Sequence, residues 1–386
     1  MKKILMIIPS NYGTISRCSL NLYNTLRETK DCEVKVVMVH KYKTGFEEFE
    51  NCEYFMAGEG SFLRSLLQSI GRTRWIKRIK KNFKPDLTIS TLPGCSTLNV
   101  KGKGNDCKIG IFHAPNTQIQ GLKLQYMVSQ FSYRYVYPKL DKLFCVNKGV
   151  YEFFLENYPW IEKSKMEVVY NVHPINKIKQ FALEPIDNNE EQPIFKEKKV
   201  ILFCGRLEFI KAPQRLLTAF GKSELPRQGY HLVFIGQERQ VFWKELKESA
   251  ASMGIDQFVH YIGAQNNPYK YMARSAALVS SSKSEGLPGV LIESLVLGKP
   301  VVTTNSSKGV WEILSCDDQY DSDMKERKLF ADGIITPNTG DEALNIEQLS
   351  FALNEIVFER YKEVNASFLQ KVSGDYIVDK FLNCIR

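Results

Sequence analysis

A chain of 386 residues is long for a single hydrophobic core, so two domains are expected. Its 44% hydrophobic and 25% charged residues are those of a globular protein, and no run of about 18 uncharged apolar residues marks a spanning helix. The net charge of +9 is unevenly divided: residues 1–170 hold 26 Lys/Arg against 15 Asp/Glu, and residues 171–386 hold 26 against 28. The excess positive charge therefore sits in the N-terminal half, which points that half toward an anionic partner.

Taken in chain order, "MKKILMIIPSNYG" reads as a buried first strand rather than a signal peptide. Its apolar run from Ile4 to Ile8 falls short of the roughly 7–15 residues of a signal core and ends in a turn without a small-residue cleavage site. Gly13 then leads into an amphipathic helix carrying Leu20, Leu22 and Leu26. A glycine at that place opens the helix N-terminus to an anion, or is simply a turn glycine; no GxGxxG pattern decides between them. The runs "EVKVVMV", "DLTISTL", "KIGIFH" and "KLFCVN" follow as strands, and later "KVILFCG", "HLVFIG", "FVHYIG", "AALVSSS" and "PVVTT". Continuous Val/Ile/Leu/Phe strands alternating with helical stretches predict two doubly wound parallel α/β units, 1–172 and 197–364. Residues 173–196, polar and without a clean period, are expected to link them, and 365–386 to form a terminal helix that packs on either unit, with a return to the first open. Ligands are expected in a cleft at the carboxyl ends of the strands.

Within the first unit, "RTRWIKRIKKNFKPD" places Trp75, Ile76, Ile79 and Phe83 on one helical face amid seven Lys/Arg, with no acid before Asp86. Residues 72–84 thus suit an anionic membrane surface, although a helix before a strand ordinarily packs such residues on the sheet. No binding module or aromatic platform supports nucleic acid. Nine cysteines without a CxxC pair or metal spacing fit a reducing cytosol, with peripheral attachment at the inner face of the membrane as the localisation the basic helix allows.

The second unit opens with "VILFCGRLEFIKAPQRLLTAF", where Arg206 follows the strand end at Gly205 and Lys211 starts the next helix. Two cations at one strand mouth suit a diphosphate, Arg as a planar fork and Lys as a mobile point charge; solvated surface cations are the alternative. In "SSKSEGLPGVLIESLVLGKPVVTT", Glu285 lies in the loop after a strand and Glu293 about one turn into the helix closed by Gly298. The two acceptors could hold two hydroxyl pairs of a sugar nucleotide while N–H groups between them approach its phosphates. The plainer reading makes Glu285 a helix N-terminal acid and Glu293 a solvated residue, but the apolar frame of Glu293 calls for a partner.

"GRLEFIK", "FIG", "VHYIG" and "SEGLPGVLIESLVLGKPVV", in this order, resemble the retaining glycosyltransferases of family 4, strongly over about 197–313. The resemblance implies the GT-B fold, two Rossmann-like domains facing a central cleft, and an E-x7-E motif at Glu285 and Glu293. By it, Arg206 and Lys211 bind the donor diphosphate and stabilise it as it leaves, Glu293 accepts from the ribose, and Glu285 accepts from the transferred sugar. Backbone amides near Leu287, Gly289 and Val290 would touch phosphate or sugar. Gly13 would approach the diphosphate and His113 the donor sugar, Asn147 would cap a helix, and Asn171 would be structural. Such enzymes need no metal or cofactor beyond a nucleotide-diphosphate sugar as co-substrate, and transfer to a glycan or lipid-linked acceptor in surface-polysaccharide assembly. Other readings are another GT-B reaction such as sugar-nucleotide epimerisation, or a non-catalytic sugar-nucleotide or membrane binder. The departure is 315–332, an insertion whose five aspartates are expected to be solvated rather than metal-bound.

Overall fold

The computed structural model describes all residues except 30, 41–48, 56–61, 114–122, 197–198, 239–240, 315–318, 359–365 and 386. The chain divides into two compact units, Met1–Val172 with Lys371–Arg386, and His173–Gln370.

The first unit runs β1 (Lys2–Ile8), α1 (Thr14–Glu28), β2 (Cys32–Met38), β3 (Cys52–Tyr54), α2 (Phe62–Phe83), β4 (Leu87–Thr91), α3 (Leu92–Lys101), β5 (Cys107–Phe112), α4 (Lys123–Tyr135), β6 (Lys142–Cys145), α5 (Lys148–Asn157) and β7 (Met166–Val168). Among the described residues its sheet has the order β3-β2-β1-β4-β5-β6-β7, with parallel pairing throughout. Strand β1 is central, and Ile4 to Ile8 are wholly buried, as a strand covered on both faces requires. Asn147 caps α5, its Oδ1 accepting from the Val150 N–H at 2.7 Å.

Helix α2 packs inward as a crossover helix does: Ile76 and Ile79 are buried with Leu5, Ile7, Val37 and Leu98, and Trp75 and Phe83 lie against the same cluster. The four apolar residues of the 72–84 stretch therefore pack on the core, as a helix before a strand was expected to do. One of its seven cations is also internal. Lys80 Nζ donates to Asp106 Oδ2 at 2.7 Å and Asn99 Oδ1 at 2.8 Å, both charged side chains being at most 2% exposed. Burial, against the opposing pull of Asp106, pushes its pKa down to about 8.

The second unit runs α6 (Ile175–Ala182), α7 (Gln192–Lys196), β8 (Val200–Cys204), α8 (Pro213–Lys222), β9 (His231–Ile235), α9 (Phe242–Ser252), β10 (Val259–Tyr261), α10 (Tyr269–Met272), β11 (Ala277–Ser280), α11 (Gly289–Val296), β12 (Val301–Thr304), α12 (Lys308–Ile313), β13 (Lys328–Phe330), β14 (Gly333–Thr336), α13 (Glu342–Phe358) and α14 (Ala366–Lys371). The described strands take the order β10-β9-β8-β11-β12-β14-β13, parallel except for the antiparallel edge strand β13. Its core joins Ile201, Phe203, Leu216, Phe220, Phe234, Val279 and Leu353. Residues 173–196, expected as a linker, carry α6 and α7. Ile178 and Phe195 are buried, and α6 packs on α10 and α11, because the apolar positions of α6 form one face despite its polar composition.

Part of the 315–332 insertion forms β13; of its aspartates, 317 and 318 lie outside the described residues, and no metal-binding cluster occurs among the described residues. After α14 the chain returns to the first unit as α15 (Gly374–Leu382). It packs on α1, where Gly374 meets Thr25, while Phe381 stacks edge-on against Phe144 and Lys380 pairs with Glu167 at 2.6 Å. Among the described residues no helix is long and apolar enough to cross a membrane.

Candidate functional site

In the second unit the loops after β8 and β11 and the start of α11 meet at one end of the sheet. Strand β8 ends against its neighbour: Gly205 N–H donates to Ile235 O at 2.8 Å, and a Cβ on Gly236 would lie 1.8 Å from Gly205 O. Only glycine, here at φ +148°, lets the two loops leave so close together. Arg206 projects from this crossing, 44% exposed, with Nη2 2.7 Å from Glu208 Oε1. Lys211 ends a 3₁₀ turn, Phe209–Lys211, rather than starting the helix; Ala212 at φ +46° then redirects the chain into α8, whose first residue is Pro213. That left-handed alanine is held by Ser281, whose hydroxyl donates to Lys211 O at 2.9 Å and Ala212 O at 3.0 Å.

The turn aims Lys211 at the motif acid. Lys211 Nζ lies 2.5 Å from Glu285 Oε1, and Ser282 Oγ donates to the same oxygen at 2.7 Å. Both charged side chains are largely covered, 22% and 14% exposed, so the pair is a fixed feature and not a pair of solvated surface charges. The loop carrying Glu285 is pinned along its backbone: Thr304 donates to Ser282 O, Asn338 to Lys283 O, Ser307 to Gly286 O, and Glu285 N–H to Ser306 O. A loop so tied is preorganised for a ligand.

Beyond it, Leu287 precedes Pro288, and Gly289 and Val290 are the first two residues of α11, where N–H groups have no intrahelical acceptor. Glu293 sits one turn further, accepting from Tyr269 Oη at 3.3 Å, and so has the partner its apolar frame demanded. Burial, and secondarily the Glu293 charge, pushes the Cys204 thiol up to about 12. Gly298, at φ +67°, closes the helix.

Residues outside the sequence reading complete the arrangement. Arg215, 4% exposed, forms a two-point contact with Glu342 at 2.8 and 2.6 Å and also donates to Asn338 Oδ1 at 2.9 Å and Ser281 O at 3.4 Å. It anchors the β11 loop from below; its one sequence signal was an arginine inside the apolar run of α8. His173, 7% exposed, lies against the start of α11, its Cε1 3.2 Å from where a Cβ on Gly289 would be. Burial pushes its pKa down to about 4, and its Nδ1 has no partner among the described residues. Nothing in "NVHPI" marks that contact, which depends on the packing of α6 against α11.

The remaining predicted residues lie in the first unit. Gly13, at φ +88° and with free space around it, precedes α1, which lacks a side-chain cap. His113 follows β5, with Nε2 shut off from solvent and without a partner among the described residues; burial pushes its pKa down to about 4, so the ring is neutral at physiological pH.

Residues 186–337 match the family described as glycosyl transferases group 1, and that stretch is a domain of this type. An uncharacterized glycosyltransferase of Methanocaldococcus jannaschii is 29% identical over 276 residues, 69% of this chain and 66% of the relative. The N-acetylgalactosamine-N,N'-diacetylbacillosaminyl-diphospho-undecaprenol 4-alpha-N-acetylgalactosaminyltransferase of Campylobacter jejuni is 29% identical over 63% of this chain and 64% of its own length. The matched stretch thus spans just under two thirds of either relative. Among solved structures, Anabaena HepE in complex with UDP and glucose superposes with a TM-score of 0.70 at 16% identity, covering 99% of both chains. The lipopolysaccharide outer core galactosyltransferase WaaB superposes at 0.68, again with 16% identity and 99% of both chains. These likenesses show the fold: two Rossmann-like parallel-sheet units of the GT-B type.

Proposed function

We propose that the protein transfers a sugar, with retention of configuration and without a metal, from a nucleotide-diphosphate donor to a glycan or lipid-linked acceptor in surface-polysaccharide or glycoconjugate assembly. The observation that carries this reading is the Lys211–Glu285 contact in the loops that also hold Arg206 and the first turn of α11, two cations and first-turn amides gathered where a diphosphate would lie. Arg206 and Lys211 neutralise the diphosphate as charge builds on the leaving oxygen, the step at which fixed donors contribute most. Lys211 gives up part of its contact with Glu285 as donor binds, which frees that carboxylate to accept from the sugar hydroxyls.

Glu293, steadied by Tyr269, accepts from the ribose, and the amides at Leu287, Gly289 and Val290 face phosphate or sugar. Gly13 is assigned to the diphosphate and His113, as a neutral imidazole, to the donor sugar. The relatives support the acceptor class, since the Campylobacter jejuni protein is named for a diphospho-undecaprenol substrate, and HepE was crystallised with UDP and glucose.

The test is transfer from UDP-, GDP- and ADP-sugars to a diphospho-undecaprenol-linked glycan, in the presence of a chelator, with the anomeric configuration of the product read by NMR. A product of inverted configuration, or turnover abolished by the chelator, refutes the mechanism. Conversion of the donor sugar without any acceptor assigns the site to epimerisation instead, and donor binding without turnover of any acceptor assigns it to a non-catalytic binder.

A further inference from the structure

We infer that the 315–332 insertion is a positioning element of the candidate site, and that Asn305 is the residue through which its described part, 319–332, holds the Glu285 loop. This deepens the proposed reading by adding a positioning residue to the same site, and it rests on that reading only for the ligand, since the order of the loop is measured without one.

Both ends of the insertion are fixed. At the far end Arg327 makes a two-point contact with Glu355 on α13, with Nε 2.6 Å from Oε2 and Nη2 reaching Oε1, and its N–H donates to Gln348 Oε1 at 3.1 Å. Residues 328–330 then join the sheet as β13. At the near end Tyr320 packs edge-on against the buried indole of Trp311 with ring centroids 5.8 Å apart, and Phe330 meets the same indole at 5.8 Å. Between them Met324 is buried. A stretch that only reached out into solvent would not order these side chains, whose rotamer freedom is lost in the packing.

Asn305, the residue just after β12, is where this element meets the site. Its Nδ2 donates to Asp321 O at 2.8 Å and its Oδ1 accepts from Trp311 Nε1 at 2.9 Å. An indole N–H can only donate and a carbonyl can only accept, so the amide has one permitted orientation, and an aspartate in its place could satisfy Trp311 alone. The next two residues pass the contact on. Ser306 O accepts from the Glu285 N–H at 3.3 Å, and Ser307 Oγ donates to Gly286 O at 3.1 Å. Asn338 Nδ2 ties the two segments together, donating to Lys283 O at 2.8 Å and to Asn305 O at 3.4 Å. Because successive peptides are stiff planes, a shift of Asn305 is carried into Ser306 and Ser307 and so into the loop that bears the Glu285 carboxylate. A displacement of about 1 Å at a substrate-positioning group is enough to cost much of the rate. Strand β13 also covers the edge of β14, which would explain a folded insertion by itself. It does not explain why the preceding turn reaches past Trp311 to the one residue that leads into Ser306 and Ser307.

The experiment is hydrogen–deuterium exchange of the full chain, read over 282–287, together with titration of UDP-, GDP- and ADP-sugars. Asn305→Asp keeps the acceptor for Trp311 but sets a carboxylate oxygen against Asp321 O, so it breaks the link to the insertion and spares the link to the core. Exchange over 282–287 should rise on the order of tenfold and donor affinity should fall on the order of tenfold, with β8 and β11 exchanging as in the wild type. Tyr320→Ala alters a ring that is 40% exposed, so its melting temperature should stay near that of the wild type while the same amides move in the same direction by a smaller factor. Wild-type exchange over 282–287 in Asn305→Asp overturns the inference, as does faster exchange there with donor affinity intact. A rise that runs equally through β11 and β12 also overturns it, because Asn305 then serves the whole sheet and not the loop. If the wild type binds no nucleotide sugar while both variants loosen 282–287, the donor reading fails and the positioning of the loop by the insertion stands.

Discussion

Arg206→Ala separates a donor-binding cation from a surface one. The side chain is 44% exposed and its ion pair is with Glu208 in the same loop, so its loss should cost the unliganded protein under about 1 kcal/mol. Donor at about 100 times its Kd stabilises the wild type by about 2.7 kcal/mol. For a unit the size of His173–Gln370, at about 2–4 °C per kcal/mol, that is a rise of about 5–11 °C. Charge-assisted contacts contribute roughly 1.5–3 kcal/mol, and removing about 2 kcal/mol weakens binding by about 30-fold. At the same donor concentration the stabilisation then falls to about 0.9 kcal/mol, a rise of about 2–4 °C. The assay is differential scanning fluorimetry of both proteins with the nucleotide sugar that shifts the wild type. If Arg206→Ala melts like the wild type without ligand and shifts as far with it, the diphosphate does not lie at the β8 loop. A large drop in the unliganded melting temperature would contradict the exposed position of the side chain.

Lys80→Met should destabilise the first unit by about 3–5 kcal/mol in urea titration, because it leaves Asp106 buried without its main partner, and Lys80→Met/Asp106→Leu should recover much of that loss. Arg215→Met should lower the melting temperature and weaken donor binding together, since the side chain holds Ser281 O and Asn338 beneath the Glu285 loop; an unchanged affinity would separate that loop from the site. Lys211→Met should cut turnover by about tenfold or more while Lys211→Arg retains part of it, read as kcat with saturating donor. His173 is held near 4 in the fold against about 6.5 when unfolded, so the unfolded chain takes up the proton first as pH falls. Stability should fall with pH between about 6.5 and 4, with this residue supplying up to about 1.4 kcal/mol per pH unit; His173→Gln should flatten the slope measured by denaturant titration across that window.

What the sequence determined by itself was local and periodic. Unbroken apolar runs such as Ile4–Ile8 and Val200–Cys204, alternating with helical stretches, read as strands covered on both faces, so two parallel sheets were legible before any coordinates. The glycine and acid spacing around Glu285 and Glu293 likewise marked the strand, loop and helix on which they sit. The short strands β3, β7 and β13 were not legible, because their three residues carry no apolar run of the kind that marked β10 in "FVHYIG". Partnerships between distant residues were also left to the tertiary structure. Lys80 belongs by pattern to a basic face, yet Asp106, 26 positions later, draws it inside. The linker region became α6 and α7 because α10 and α11 offered apolar faces to cover. Lys211 and Glu285 are 74 positions apart, and only the left-handed Ala212 held by Ser281 turns one toward the other. A side chain's type and period record which face it prefers; its partner is chosen by whatever chain the fold packs against that face.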